Sequence, residues 1–167
     1  MKIAIYPGSF DPVTCGHLNI IRRAAEIFEK LIVCVMVNSG KSPMFTREER
    51  VSLIRKVTTD LPNVIVDSSE LLLADYAKSR GDCIIVKGLR SGSDFETEYQ
   101  MAMINRKLNA DLDTMFLPAD HEFMYMSSST VKELARYDAD LSEFLPEEII
   151  PVFKERVFTI QQGGNRK

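Results

Sequence analysis

The sequence predicts an α/β fold, in which a doubly wound, Rossmann-like sheet of five parallel strands has helices on both faces and further helices at its C-terminal end. Short apolar runs rich in β-branched residues alternate with segments of helical periodicity. The strand runs are apolar nearly throughout, as in a sheet covered on both faces. A length of 167 residues without internal repeats or linkers fits one domain. We therefore expect a single domain over residues 1–158 and a disordered tail over residues 159–167.

The strands are predicted from short apolar runs of three to seven residues, joined by right-handed crossovers. They are Lys2–Tyr6, Leu31–Val37, Val64–Val66, Cys83–Lys87 and Thr114–Leu117.

Helices are predicted between and after these strands. The second begins after Thr46, which forms a capping-box pattern with Glu49. The fourth has an apolar side that carries Phe95, Tyr99, Ala102 and Met103. The first helix is predicted over residues 16–30, the third over 71–80, the fourth over 94–108, the fifth over 130–136 and the last over 147–156.

Composition excludes several classes of protein. Lysine and arginine number 21 against 24 acidic residues, a net charge of −3, which excludes a globally basic nucleic-acid coat protein. No run approaches the ~20 apolar residues of a membrane span, and the N-terminus does not resemble a secretory signal. The three cysteines have no CxxC spacing and are expected to be free thiols. We expect a cytoplasmic protein with no nucleic-acid or membrane partner.

Four loops are expected at the carboxyl ends of the strands, where such sheets bind ligands. They cover residues 7–15, 38–45, 88–94 and 118–129. The first leads into Thr14-Cys15-Gly16-His17, which places His17 in the first turn of a helix, where free N–H groups favour an anion. Neither a Walker A loop nor a GxGxxG fingerprint is present.

The other loops carry cations and hydroxyls suited to phosphate. Lys41 follows the second strand, Lys87 and Arg90 flank a glycine after the fourth, and Glu98 lies one turn into the next helix. The run Ser127–Ser129 precedes a helical segment, where it would supply both a cap and a phosphate cradle. His121 and Glu122 lack metal-ligand spacing, so no protein metal site is expected.

These loops, taken together, resemble the nucleotidyltransferase superfamily with the (H/T)xGH motif, here Thr14-Cys-Gly-His17, and the ISSTxxR-type motif, here Met126-Ser-Ser-Ser-Thr-Val-Lys132. Within that superfamily the chain resembles the bacterial phosphopantetheine adenylyltransferases over residues 2–157. The resemblance implies transfer of AMP from ATP to 4′-phosphopantetheine, with dephospho-coenzyme A and pyrophosphate as products, in coenzyme A biosynthesis. It also implies Mg²⁺ as cofactor, a homohexamer built as a dimer of trimers, and coenzyme A as a feedback inhibitor.

Site residues carried over from the resemblance fall into three groups. Catalytic roles are implied for His17, the transition-state stabiliser, and for Lys41 and Arg90. Contacts to phosphopantetheine are implied for Ser9, Lys41, Leu73 and Lys87. Contacts to ATP are implied for Ser9, Phe10, His17, Gly88, Leu89, Arg90, Glu98, Phe123, Met124, Tyr125, Met126, Ser127, Ser128 and Ser129.

Three residues depart from the pattern of the family. Ser9 replaces a common threonine but keeps the hydroxyl, Lys87 stands where arginine is frequent, and Lys132 stands where the wider superfamily often has arginine. A related cytidylyl- or adenylyltransferase acting on another phosphate acceptor, such as glycerol phosphate or nicotinamide mononucleotide, is the alternative function. A non-catalytic nucleotide-binding module is a second alternative, and an RNA-binding protein of the tRNA-synthetase kind a third, although no anticodon domain is evident.

Overall fold

The computed structural model describes residues 3–37 and 42–164. It forms a five-stranded, all-parallel sheet with the strand order β3-β2-β1-β4-β5, which confirms the predicted fold class. Lys2, Lys41 and residues 165–167, on which some predictions fall, lie outside the described residues. The strands are β1 Ile3–Gly8, β2 Lys30–Met36, β3 Val64–Ser69, β4 Cys83–Leu89 and β5 Thr114–Pro118.

Several strands continue beyond their predicted apolar runs, and β3 and β4 are examples. The third strand was expected to end at Val66, yet Asp67, Ser68 and Ser69 stay in register with β2. Likewise β4 continues past Lys87 to Leu89, in register with β5. Because backbone groups alone make the ladder, polar side chains and glycine do not end a strand at the edge where it meets the cleft.

Six α-helices pack around the sheet or follow it. Two of the helix starts have reciprocal capping boxes, at Thr14 with His17 and at Thr46 with Glu49. The helices are α1 Cys15–Ile27, α2 Arg47–Val57, α3 Leu73–Arg80, α4 Gly92–Leu108, α5 Ser128–Arg136 and α6 Ile150–Gly164, and a short 3₁₀ turn covers His121–Phe123.

The last helix differs most from its prediction. It begins at Ile150 rather than near Glu147 and continues to Gly164, past residue 158, where the domain was expected to end. Phe153 and Val157 bury against the core and fix the first half of the helix. Beyond them each further residue adds one backbone hydrogen bond at little cost, which lets the helix continue after its apolar contacts have ended.

The core consists of one apolar cluster on each face of the sheet, which is why the strands are apolar on both sides. One face packs Leu31, Val33 and Phe153 with α1 and α2. The other packs Ile32 and Ile85 against α3. The carboxyl edge of the sheet is thereby held rigid from both sides, and the loops that follow it are positioned by a fixed frame.

Helix α4 does not bury the apolar side that its sequence predicted. Phe95, Tyr99 and Met103 are 44%, 49% and 44% exposed, and Ile104 is 50% exposed. Asn105 is the buried residue of this helix. The apolar surface of α4 therefore faces outward in the single chain.

None of the helices within residues 3–37 and 42–164 has the length and hydropathy that a membrane crossing needs.

Candidate active site

A cleft of about 420 Å³ opens at the carboxyl edge of the sheet, between β1, β4 and the starts of α1, α4 and α5. Its position is the one predicted for ligand binding in a doubly wound sheet. The structure brings eleven of the predicted site residues to its wall: Ser9, Phe10, His17, Lys87, Gly88, Arg90, Glu98, Phe123, Met126, Ser127 and Ser128.

Other predicted site residues lie away from this cleft. Tyr125 is 72% exposed, Leu73 packs against the core cluster beside α3, and neither Leu89 nor Met124 lines the cleft. Ser129 lines a second cavity of about 310 Å³. That cavity shares Ser9 and Ser128 with the cleft, so the two spaces meet at these residues. Lys41 lies outside the described residues.

The first loop is shaped by an unusual backbone at Phe10. Its φ is 48°, in the left-handed region that a bulky residue rarely adopts, and its ring is 2% exposed. The ring packs edge-on against Tyr6 and His17, with centroids 5.3 Å and 5.1 Å away. A Cβ on Gly8 would lie 2.9 Å from this ring, so glycine is required there. The buried ring thus fixes the loop that carries Ser9 and braces the imidazole of His17.

The hydrogen bonds of His17 define which of its nitrogens faces the cleft. The Thr14 N–H donates to Nδ1 at 3.1 Å, and the Thr14 Oγ1 lies 3.1 Å from the same atom. Since Nδ1 accepts, Nε2 carries the proton of the neutral ring. Burial and, to a smaller extent, the nearby positive charge of Arg90 together lower the pKa of His17 to about 4. At neutral pH the residue is therefore an uncharged N–H donor.

Among the described residues, the two cations that line the cleft are both paired with carboxylates. Lys87 Nζ lies 3.1 Å from Glu98. Arg90 makes a two-armed contact with Asp94, at 2.9 Å from Nε and 3.1 Å from Nη2, and also donates to the Met126 carbonyl at 3.0 Å. These contacts hold both cations at the cleft wall, where they would meet the negative charge of a phosphate.

The serine segment acts as a helix cap, as its sequence indicated. Ser127 Oγ accepts from the Thr130 N–H at 3.0 Å, and Ser128 Oγ donates to the Pro12 carbonyl at 2.8 Å. Because both hydroxyls are engaged, the backbone N–H groups of the first turn of α5 are the donors that this segment offers to an anion.

A close approach of backbones brings these groups together. A Cβ on Gly88 would lie 2.8 Å from Ile20 Cγ1, which is buried in α1. Glycine at this position therefore lets α1 lie directly against the end of β4. The contact places His17, at the start of α1, beside Lys87 and Arg90 at the end of β4.

Sequence reasoning missed Asp94 as a residue of the cleft. Its spacing of four residues from Arg90, in the first turn of a helix, is the pattern of an ion pair and could have identified it. Tyr6 and Thr14 were also missed. Tyr6 has no sequence signal beyond its strand, because its neighbours Phe10 and Gly88 are brought to it by the fold.

Within residues 3–37 and 42–164, no three His, Cys, Asp or Glu side chains converge on a point that would hold a metal ion. The two carboxylates of the cleft, on Asp94 and Glu98, are already committed to cations. The described residues therefore do not fit a resident metal centre.

Comparison with known proteins identifies the sequence family. Residues 5–134 match the family model described as Cytidylyltransferase-like. A phosphopantetheine adenylyltransferase of Caldanaerobacter subterraneus subsp. tengcongensis is 50% identical over 93% of this chain and 98% of its own length. Relatives of the same name from Alkaliphilus metalliredigens and Lachnoclostridium phytofermentans are each 49% identical over 93% of this chain, and over 99% and 96% of their own lengths.

A solved structure shares the fold. A Vibrio parahaemolyticus protein described as a "Putative Nicotinate-nucleotide Adenylyltransferase" superposes with a TM-score of 0.68 over 94% of both chains, at 16% identity. At that identity the likeness concerns the fold alone. With the family model and three relatives at about half identity in agreement, the chain belongs to the cytidylyltransferase-like nucleotidyltransferases and, among these, to the phosphopantetheine adenylyltransferase family.

Proposed function

We propose that this enzyme transfers AMP from ATP to 4′-phosphopantetheine and releases pyrophosphate, the penultimate step in making coenzyme A. The observation that carries the proposal is the convergence of an uncharged His17 donor, two cations and the start of α5 on one cleft of about 420 Å³. Family membership, through relatives of that name at about 50% identity, supplies the substrates.

The reaction needs positioning more than proton transfer. The acceptor phosphate is an anion near neutral pH, so it can attack the α-phosphorus of ATP in line without a general base. The main barriers are the repulsion between two polyanions and the charge that spreads over the α-phosphate in the transition state. Fixed donors that need not reorganise lower both barriers.

Each group in the cleft has a role in this scheme. His17 donates a hydrogen bond from Nε2 to the α-phosphate. Because the ring is neutral, it does so without transferring a proton to the reacting phosphate. Lys87 and Ser9, with Lys41 outside the described residues, receive the acceptor phosphate. Arg90 and the N–H groups at the start of α5 hold the β- and γ-phosphates that leave.

Lys87 and Arg90 exchange partners when the substrates bind. Each would leave a carboxylate, Glu98 or Asp94, for a phosphate oxygen of higher charge. Glu98 then becomes available to a ribose hydroxyl, which matches its implied place in the ATP site. Because the described residues offer no cage of their own, we propose that Mg²⁺ enters as part of the Mg·ATP substrate, where phosphate oxygens are its ligands.

Self-association as a homohexamer is part of the proposal. Its support is the exposed apolar side of α4, where Phe95, Tyr99, Met103 and Ile104 lack cover from the described part of the chain. Light scattering should give six times the mass of one chain. Replacement of Tyr99 and Met103 by glutamate should lower that mass, and an unchanged mass would remove α4 from the interface.

We also propose a cytoplasmic location and feedback inhibition by coenzyme A. Cys15, Cys34 and Cys83 are free, which suits a reducing compartment. Burial raises the pKa of Cys34 to about 11, so this thiol stays protonated and unreactive. Coenzyme A carries both a pantetheine arm and an adenine nucleotide, and it is expected to compete with both substrates for the cleft.

The decisive experiment measures pyrophosphate release with ATP or CTP against a panel of acceptors: phosphopantetheine, glycerol phosphate and nicotinamide mononucleotide. We expect turnover with ATP and phosphopantetheine only. Preference for CTP, or turnover with another acceptor and none with phosphopantetheine, would assign the chain to a related activity. Nucleotide binding without pyrophosphate release would indicate a non-catalytic module.

A further inference from the structure

The carboxylate of Asp11 joins three segments around the cleft, although the scheme above gives it no role. Asp11 is 6% exposed. It accepts hydrogen bonds from the backbone N–H groups of Met44 at 2.8 Å and Phe45 at 2.9 Å. Lys132 Nζ pairs with the same carboxylate. A side chain of the first loop is thus bound to the second loop and to α5.

A buried arginine ties the same two loops in the opposite sense. Arg50, in α2, is 4% exposed and donates to the Ser9 carbonyl at 2.8 Å and to the Thr46 carbonyl at 3.4 Å. Asp11 therefore connects the first loop to the second. Arg50, in the helix that follows the second loop, connects back to the first loop. Ser9, the implied contact for the acceptor phosphate, is held by Arg50 at its carbonyl and lies two residues before Asp11.

The far side of the second loop is also anchored. Phe45 is 1% exposed, its ring stacks near Phe153 of α6 at 6.3 Å, and Arg156 lies 4.8 Å above it. With its side chain fixed in the core and its N–H fixed on Asp11, Phe45 sets the point where the second loop returns to the frame of the protein.

Lys132 lies outside the main cleft. It occupies the position of the serine motif where the wider superfamily often has arginine. In the structure its ammonium group is bound to Asp11, and Lys132 lines the 310 Å³ cavity rather than the main cleft. A buried carboxylate needs such a counterion, because an unpaired charge in that position is strongly destabilising.

We propose that Asp11 is a positioning residue for the acceptor side of the site, and that Lys132 acts through Asp11 rather than on phosphate. Asp11 holds the return of the second loop, at Met44 and Phe45, beside the first loop and so fixes the position of Ser9, which receives the acceptor phosphate. Lys132 pairs with that carboxylate and orients it. The proposal rests on the assignment of phosphopantetheine as acceptor.

The test is a double-mutant cycle with Asp11→Asn, Lys132→Gln and both together, with KM for each substrate, kcat and the midpoint of thermal unfolding measured for each. Asp11→Asn keeps the shape of the side chain but places an amide against donors. A hydrogen bond to a charged group contributes enough that its loss is expected to raise KM for phosphopantetheine about tenfold or more. KM for ATP should change less than about threefold.

Lys132→Gln is expected to raise KM for phosphopantetheine in the same direction but by less. The double variant should be no worse than Asp11→Asn alone, within about twofold, since Lys132 has no separate effect once its carboxylate is gone. Asp60→Asn is the matched control: it breaks the exposed pair with Arg22 at 2.6 Å, away from the cleft, and should leave both KM values unchanged.

Two results would overturn the proposal. If Lys132→Gln raises KM for ATP and its effect multiplies with that of Asp11→Asn, then Lys132 contacts the nucleotide directly. If Asp11→Asn lowers only the unfolding midpoint and both KM values stay at the wild-type level, then Asp11 is structural. Failure of the proposed function looks different, because the wild-type enzyme would then give no turnover with phosphopantetheine.

Discussion

Replacement of His17 tests whether an uncharged donor drives the transfer. The hydrogen bond from Thr14 to Nδ1 leaves Nε2–H as the group in the cleft. With a pKa of about 4, roughly one imidazole in a thousand is charged at pH 7 in the free enzyme. Loss of one preorganised donor typically costs about 10²–10³ in kcat. His17→Ala is therefore expected to lose at least that much while staying folded.

Two amide variants separate the nitrogen that matters. The amide nitrogen of glutamine reaches about as far as Nε2, whereas that of asparagine corresponds to Nδ1. We expect His17→Gln to retain about tenfold more kcat than His17→Asn, as measured by pyrophosphate release. Circular dichroism and urea unfolding establish that each variant is folded. Near-normal turnover of His17→Ala would remove His17 from the mechanism.

The pH profile distinguishes a neutral donor from an imidazolium. The ratio of kcat/KM for ATP between wild type and His17→Gln cancels the titration of the substrates and reports groups of the free enzyme. Because the pKa of His17 is about 4, this ratio should be constant between pH 6 and 8. A tenfold fall of the ratio per pH unit above about 6.5 would show that the charged ring is required and would refute the reasoning.

Three further predictions follow from the cleft. Gly88→Ala places a Cβ against Ile20, and the expected loss of about 1–3 kcal/mol should appear as a lower urea midpoint; an unchanged midpoint would mean that the two backbones can separate. The lowered pKa of His17 makes the free energy of unfolding fall as pH drops from 6.5 towards 4, by at most about 3 kcal/mol, and His17→Gln should lack that contribution in urea titrations. Asp94→Asn removes the charge that competes for Arg90, so KM for ATP should fall about two- to fivefold; a rise would show that Asp94 chiefly orients the arginine.

The sequence predicts the sheet well because each strand repeats one simple signal. A short run rich in β-branched residues favours a strand that is buried on both faces, and β2 is the clearest example. The ends of β3 and of α6 escape prediction because they are set by neighbours rather than by their own side chains. Asp67 stays in β3 because its backbone pairs in register with that of β2.

The candidate site is predictable where a residue acts through its place on an element. His17 at a helix start and Ser127 at a cap are both visible in the sequence. Pairings across the fold are not, and Asp11 with Lys132 is separated by 121 positions. The left-handed backbone of Phe10 is hidden for the same reason, because only the packing around its ring sustains that conformation.

In the substrate-free cleft, Lys87 and Arg90 are already paired with carboxylates, and this pairing affects which anions can bind. An anion can pair with Lys87 or Arg90 only by displacing Glu98 or Asp94, and a monovalent ion such as chloride carries no more charge than the carboxylate it would replace. A triphosphate can displace both carboxylates together and gain the helix start as well. We therefore expect the cleft to bind chloride weakly and to remain available for the nucleotide.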